Sequence, residues 1–138
     1  MNHDLKRFLD AQDGTFEVAL GELLDGRKRT HWMWFIFPQL AGLGRSETAR
    51  YYALASIGEA RAFLDHPVLG RRLEQAVVAI NGLASDDARA IFGDIDALKL
   101  RSSLTLFREA GGGPAFDEGL EKYFEGSPDP ETLRLLGA

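Results

Sequence analysis

The chain has 138 residues, of which 45% are hydrophobic and 27% are charged, a balance typical of one globular domain. Its formal net charge of −5 argues against nucleic acid as a partner, and the absence of cysteine excludes disulfides and thiolate metal sites. Three scattered histidines indicate no metal or other cofactor, and no apolar run could span a membrane. We therefore expect a soluble cytoplasmic protein without a membrane partner, folded as a single globular domain over residues 1–138.

Helical periodicity begins close to the N-terminus. Apolar residues recur at spacings of three and four in residues 5–12 and 15–26, where Thr15 is placed to cap the second helix and Gly26 to end it. Ser46 precedes another helical segment. Ser56, with Glu59 three residues later, has the spacing of a capping box before a further helix.

The second half of the chain continues this pattern. His66-Pro67 predicts a break before a long amphipathic helix that Asn81-Gly82 ends. Ser85 and Asp94 are placed to begin the next two helices. A glycine-rich loop at 111–114 then leads to two more helices, and Asp129-Pro130 opens the last one.

One segment does not fit this periodicity. Residues 31–38, with the sequence HWMWFIFP, suit a buried strand and a buried helical turn about equally well. We therefore predict a mainly α, compact single-domain fold of about eight helices, with one short strand or irregular element at 31–38.

The aromatic run within this segment permits two interpretations. Both tryptophans of the chain, Trp32 and Trp34, lie in it, and large aromatic side chains are frequently buried. In the first interpretation the run is a central core element. In the second, one face lines a pocket in which Trp32 or Trp34 stacks on a planar ligand.

A basic collar directly precedes the aromatic run and consists of Arg27, Lys28, Arg29 and His31. Cations after a helix end complement the helix dipole. This explains why the collar is positively charged but not why so many basic residues lie close together. If the collar and Gln39 face one cavity, the collar could hold a phosphate or carboxylate while His31 transfers a proton. Arg45 lies at a predicted helix start, where backbone amides favour anions, although the glycines before it also suit a simple chain reversal.

A third cluster lies in residues 92–107. Asp96, Lys99 and Ser103 share one helix face, and Ser102 projects elsewhere. Asp96 and Lys99 could form an ordinary surface pair. The hydroxyl groups, however, interrupt an apolar helix and need partners, which the wall of a polar pocket would supply.

Five segments carry a family resemblance: RFLDAQ at 7–12, ALGELLDGRKRTHWMWFIFPQLAGLG at 19–44, EARAFLDHPVLGRRL at 59–73, IFGDIDALKLRSSLTLF at 91–107 and DPETLRLL at 129–136. Together they resemble a family of small bacterial proteins that is catalogued as a domain of unknown function and often labelled calpastatin. The resemblance implies a mainly helical fold. The label implies a protease inhibitor of the extended, disordered kind, whereas dense apolar periodicity is typical of a globular domain, so we regard the label as uninformative.

A more distant similarity concerns the order of the motifs. An aromatic block with a basic collar, a helix with a lysine ahead of a phenylalanine and a terminal Thr-Leu segment are similar to the NADAR superfamily of N-glycosidases. Those enzymes act on ADP-ribose-type or phosphorylated ribosyl substrates. The similarity implies that Trp32, Trp34 and Lys99 surround a ribosyl ligand.

The first hypothesis is a domain that binds, and in one version hydrolyses, a small phosphorylated or nucleotide-like ligand such as an ADP-ribose or ribosyl phosphate derivative. His31, Asp96 and Lys99 are the catalytic candidates, and Asp96 would stabilise positive charge on a sugar during N-glycosidic hydrolysis. Ligand contacts are expected from Arg27, Lys28, Arg29, Trp32, Trp34, Gln39, Arg45, Ser102 and Ser103.

The alternative is a non-enzymatic module in which the 31–38 segment includes an exposed patch for a protein partner. Nucleic acid binding by the collar ranks below both, because three adjacent basic residues do not offset an acidic remainder. No pattern in the chain indicates an oligomeric state.

Overall fold

A computed structural model describes residues 4–137 of the chain. This part of the chain forms ten α-helices in the order α1 (Lys6–Gln12), α2 (Phe16–Leu24), α3 (Met33–Ile36), α4 (Glu47–Tyr51), α5 (Ile57–Asp65), α6 (Leu69–Asn81), α7 (Ala88–Phe92), α8 (Asp94–Glu109), α9 (Pro114–Phe124) and α10 (Pro130–Leu136). The prediction of a mainly α fold is confirmed, although the number of helices is higher than predicted. None of these helices is long and apolar enough to cross a membrane.

Several helix starts have the caps that local sequence predicts. The side chains of Ser46, Ser56 and Asp129 accept hydrogen bonds from the amides of the first turns of α4, α5 and α10. Thr15 occupies the N-cap position of α2 without a side-chain hydrogen bond. Asp94 is the first residue of α8 rather than its cap, because Gly93 takes the cap position with a φ of 85°.

The start of α7 also differs from its prediction. Asp87 rather than Ser85 is the N-cap, and its carboxylate accepts hydrogen bonds from the amides of Arg89 and Ala90. The hydroxyl of Ser85 accepts a hydrogen bond from the amide of Asp87 itself. Ser85 therefore stabilises the turn that precedes the N-cap residue.

The ambiguous segment 31–38 contains one helical turn, so of the two alternatives the structure has the buried helical turn and not the strand. The carbonyl oxygen of Trp32 accepts hydrogen bonds from Phe35 and Ile36, and that of Met33 accepts from Phe37. Within residues 4–137 the nearest approach to a sheet is an isolated parallel bridge between Leu40 and Leu54. A buried strand needs a partner for its backbone amides, whereas a helical turn satisfies some of them locally.

Helix α8 is the central element, because it packs against α5, α7, α9 and α10. Its second half is buried, and Phe107 there belongs to a series of aromatic contacts that crosses the core. Phe8 meets Phe63 edge to face with 5.1 Å between ring centroids, Phe63 lies 5.4 Å from Phe107, and Phe107 lies 5.9 Å from Phe116. The N-terminal turn of α8 leaves this core and reaches the basic collar.

The junction between α5 and α6 depends on glycine at position 70. A Cβ atom on Gly70 would lie 2.0 Å from the carbonyl oxygen of Leu64, far inside van der Waals contact. We expect Gly70→Ala to lower the free energy of unfolding by about 1–3 kcal/mol, because the two helix ends must move apart. Urea denaturation followed by circular dichroism measures this loss.

Gly21→Ala is the matched control, because Gly21 is also helical and an added Cβ would meet nothing within 4 Å. Alanine there should raise stability by about 0.5–1 kcal/mol through its higher helix propensity. An equal response of the two variants would contradict the close approach at Gly70.

Candidate functional site

A cavity of about 540 Å³ lies between the basic collar and the N-terminal turn of α8. It contains the three residues predicted to be catalytic, His31, Asp96 and Lys99. The complete lining consists of Lys28, His31, Met33, Trp34, Phe92, Gly93, Asp94, Ile95, Asp96 and Lys99. Two segments about sixty residues apart in sequence thus form one concave surface.

An ion-pair network joins the two sides of the cavity. One carboxylate oxygen of Asp96 lies 3.0 Å from the ammonium of Lys28, and the other lies 3.1 Å from that of Lys99. Asp96 and Lys99 are one helical turn apart on α8, whereas Lys28 comes from the collar. The carboxylate of Asp96 therefore bridges two lysines from different parts of the chain.

Lys28 contacts other residues of the protein and is almost inaccessible to solvent. Its side chain is only 8% exposed, and its ammonium also donates to the carbonyl oxygen of Thr30 and lies 5.0 Å from the centre of the Trp32 ring. Its backbone amide donates to the carbonyl of Ile91 at 2.8 Å. Lys28 thus fastens the collar to the α7–α8 corner.

The two tryptophans have different environments. Trp32 is fully buried, and its indole N–H donates to a carboxylate oxygen of Glu22 at 2.9 Å. Trp34 is partly exposed and lines the cavity, with the ammonium of Lys99 4.7 Å from its ring centre. Of the two expected stacking residues, only Trp34 offers surface to a ligand. Trp32 is a core residue because its polar edge is satisfied inside the protein.

Glu22 organises the collar, although the sequence pattern predicted no role for it. Its buried carboxylate accepts hydrogen bonds from the amides of Arg29 and Thr30, from the Thr30 hydroxyl and from the Trp32 indole. Burial alone would raise the pKa of Glu22, but these hydrogen bonds outweigh it and lower the pKa from 4.5 to about 2. The sequence does contain a signal for its burial. Glu22 lies three residues after Ala19, so the helical period places it on the apolar face of α2.

The remaining predicted ligand contacts do not reach this cavity. Arg27 and Arg45 are exposed elsewhere, and Arg29 pairs with Asp25 one turn earlier in sequence. Gln39 is partly buried beside the bridge, where its carbonyl oxygen accepts from the amide of Leu54 at 2.9 Å. The collar therefore does not act as one cationic patch, because its members point to different partners.

The serines of α8 are buried and lie outside the cavity lining. The hydroxyl of Ser102 lies 3.0 Å from a carboxylate oxygen of Asp129, and Thr105 accepts from the amide of Asp129 at 2.9 Å. Arg101 on the same helix donates to the carbonyls of Ser127 and Pro128. The polar groups around Ser102 thus hold the segment before α10 rather than a pocket wall, and Ser103 is enclosed in the interior.

The chemistry of this cavity is that of a small cationic and aromatic site. Among residues 4–137, no group of three or more histidine, cysteine or acidic side chains is arranged to hold a metal ion. His31 is exposed at the cavity, Lys99 offers an ammonium, and the Asp96 carboxylate provides a fixed negative charge between two lysines. Such a set can bind an anion, transfer a proton and stabilise a developing positive charge.

Acid should destabilise the protein through Glu22. Because the folded pKa of about 2 is below the ordinary 4.5, the stabilisation is complete above pH 4.5 and is lost as the pH falls towards 2. A difference of this size corresponds to about 3 kcal/mol. We expect Glu22→Gln to remove this part of the acid dependence, measured by urea denaturation at a series of pH values.

Glu17→Gln is the control, since Glu17 is exposed on the same helix. It should retain the acid dependence of the unmodified protein. Parallel pH profiles for Glu22→Gln and the unmodified protein would show that Glu22 is not held in its ionised form.

Iodide quenching should separate the two tryptophans. Trp34 contributes the accessible part of the emission, because Trp32 is fully buried. We therefore expect Trp34→Phe to leave a fluorescence that iodide barely quenches, while the unmodified protein is quenched in part. Unchanged quenching in Trp34→Phe would show that Trp34 does not line an open cavity.

The chain is similar to a conserved hypothetical protein, Rv1873 from Mycobacterium tuberculosis, whose crystal structure superimposes with a TM-score of 0.95 at 45% sequence identity over 98% of this chain and 97% of the other. No curated protein matches the chain, and the comparisons show neither the calpastatin label nor a relation to the NADAR superfamily. A family model described as "Protein of unknown function (DUF1810)" matches residues 2–136, and the chain therefore belongs to this family.

Proposed function

We propose that the cavity between the collar and α8 binds a small phosphorylated or nucleotide-like ligand, such as an ADP-ribose or ribosyl phosphate derivative. The observation that carries this proposal is the pairing of Lys99 with Trp34. A lysine ammonium and a partly exposed indole lie 4.7 Å apart at the same concave surface. An anionic group and a planar group of one ligand can therefore be recognised side by side.

The size and lining of the cavity support this proposal. A volume of about 540 Å³ lies within the range of roughly 300–1,000 Å³ that is usual for small-molecule sites. Met33, Phe92 and Ile95 supply apolar surface in addition to Trp34. Its polar groups come from both sides, from Lys28 and His31 of the collar and from Asp94, Asp96 and Lys99 of α8, and polar groups of this kind fix the orientation of a ligand.

Hydrolysis of an N-glycosidic bond is the reaction that we assign to this site. The carboxylate of Asp96 would stabilise the positive charge that develops on the sugar, His31 would give a proton to the departing base, and a water molecule would form the new bond to the anomeric carbon and lose its proton to solvent. The similarity to the NADAR N-glycosidases in the order of motifs supports this assignment, with Trp34 and Lys99 beside the ribosyl group. We expect the protein to meet such ligands in the cytoplasm.

The interaction-module alternative is not favoured by the burial of the aromatic segment. Trp32, Met33, Phe35, Ile36 and Phe37 are all buried. Only Trp34 and His31 of that segment reach the surface to a useful extent, and both line the cavity. A protein partner would find no continuous aromatic patch there.

Isothermal titration with ADP-ribose, NAD and ribose 5-phosphate tests the proposal. We expect at least one of these ligands to bind, and Lys99→Gln to weaken that binding by about tenfold or more, because a hydrogen bond to a charged group is lost. Trp34→Leu should weaken the binding of ligands with a ring. Product analysis after incubation shows whether a base or nicotinamide is released.

Lys6→Gln is the matched control, because Lys6 is exposed on α1 and is paired with Asp10 outside the cavity. It should bind each ligand as the unmodified protein does. Absence of binding at millimolar concentrations for all three ligands would reject the proposal, as would equal losses in Lys6→Gln and Lys99→Gln.

A further inference from the structure

The charges around the cavity suggest which anion it accepts, and this inference rests on the proposed function. Two lysines, Lys28 and Lys99, share one carboxylate, Asp96. The three side chains are at most 20% exposed, so their charges are only partly screened by water. Together they carry one net positive charge.

The two lysines differ in what they can offer. The ammonium of Lys28 is occupied by Asp96, the Thr30 carbonyl and the Trp32 ring, and its side chain is almost inaccessible. The ammonium of Lys99 makes one ion pair, with Asp96, and faces the ring of Trp34. Because an ammonium has three donors, Lys99 can give a ligand hydrogen bonds that Lys28 cannot give.

Two carboxylates at the cavity limit the negative charge of the group that it can bind. Asp96 stands between the two lysines, and Asp94, which also lines the cavity, pairs only loosely with Arg89 at 3.8 Å across exposed side chains. A group with two negative charges would meet one available ammonium and two nearby carboxylates. A group with one negative charge would pair with the same ammonium and meet half the repulsion from the same two carboxylates.

We propose that the cavity selects a singly charged anion of the phosphodiester class, joined to a planar ring, over a doubly charged phosphate monoester. Asp96 is the specificity-determining residue. Its carboxylate cancels one lysine charge and holds the Lys99 ammonium beside Trp34.

Two adenosine phosphates with the same base and sugar test this selection. Adenosine 3′,5′-cyclic monophosphate carries one negative charge, whereas adenosine 5′-monophosphate carries nearly two at pH 8, well above its second pKa of about 6. Isothermal titration at pH 8, with adenosine as the uncharged reference, should give the cyclic nucleotide an affinity about tenfold higher than that of the monoester. Adenosine should bind more weakly than the cyclic nucleotide.

Asp96→Asn should reverse the preference, because removal of the carboxylate leaves two uncompensated lysines and favours the dianion. Asp94→Asn is the second variant and does not disturb the ion-pair network, since Asp94 is exposed at the rim. It should improve monoester binding more than cyclic nucleotide binding. Either shift supports the role of the carboxylates, and the comparison in the unmodified protein needs no variant to fold.

The outcomes separate this inference from the proposed function. Equal or tighter binding of the monoester by the unmodified protein would overturn the charge selection while leaving a nucleotide site. Equal binding of adenosine and the cyclic nucleotide would overturn it as well, because the anion would then be unrecognised. If none of the three binds while ADP-ribose does, the phosphodiester assignment is wrong, and if ADP-ribose also fails to bind, the proposed function falls with it.

Discussion

The buried carboxylate of Glu22 is the interaction on which the candidate site depends. Its Oε1 atom accepts hydrogen bonds from the amides of Arg29 and Thr30 and from the indole of Trp32. A buried ionised carboxylate is tolerated only where such donors replace water. Once residues 29–32 are held in this way, Lys28 on one side and His31 and Trp34 on the other are directed towards the start of α8. The hydrogen bonds of Glu22 thus connect α2 to the segment that lines the cavity.

Helix α8 combines two roles along its length. Its second half supplies core residues such as Leu104 and Phe107, and its first turn supplies Asp96 and Lys99 to the cavity. Because the buried half fixes the axis of the helix, the polar turn is carried on a rigid support. Gly93, with its positive φ, sets the sharp corner before this turn, a conformation that other residues adopt at a cost. The site is therefore positioned by packing that lies outside it.

Local rules predicted much of the fold but only part of the site. Caps at Ser46, Ser56 and Asp129 and the helical periodicity depend on neighbours a few residues away, so the sequence displays them directly. The environments of Trp32 and Trp34 could not be predicted, because the two residues are only two positions apart and the carboxylate of Glu22, ten residues earlier, holds the Trp32 ring in the interior. The partner of Ser102 could not be predicted for the same reason, since it comes from the segment before α10.

The basic residues of the collar are explained largely by ion pairs within the protein. These pairs also reduce the number of cations that could bind a ligand. Arg29 is matched by Asp25 and Lys28 by Asp96, so two of the three adjacent cations are neutralised within the protein. Pairs of this kind orient the chain more than they stabilise it. The cation that remains to meet a ligand in the cavity is Lys99, which comes from a different helix. Binding of an anion at this site therefore depends on Lys99. The collar contributes by positioning Lys99, because Lys28 and Lys99 share the carboxylate of Asp96.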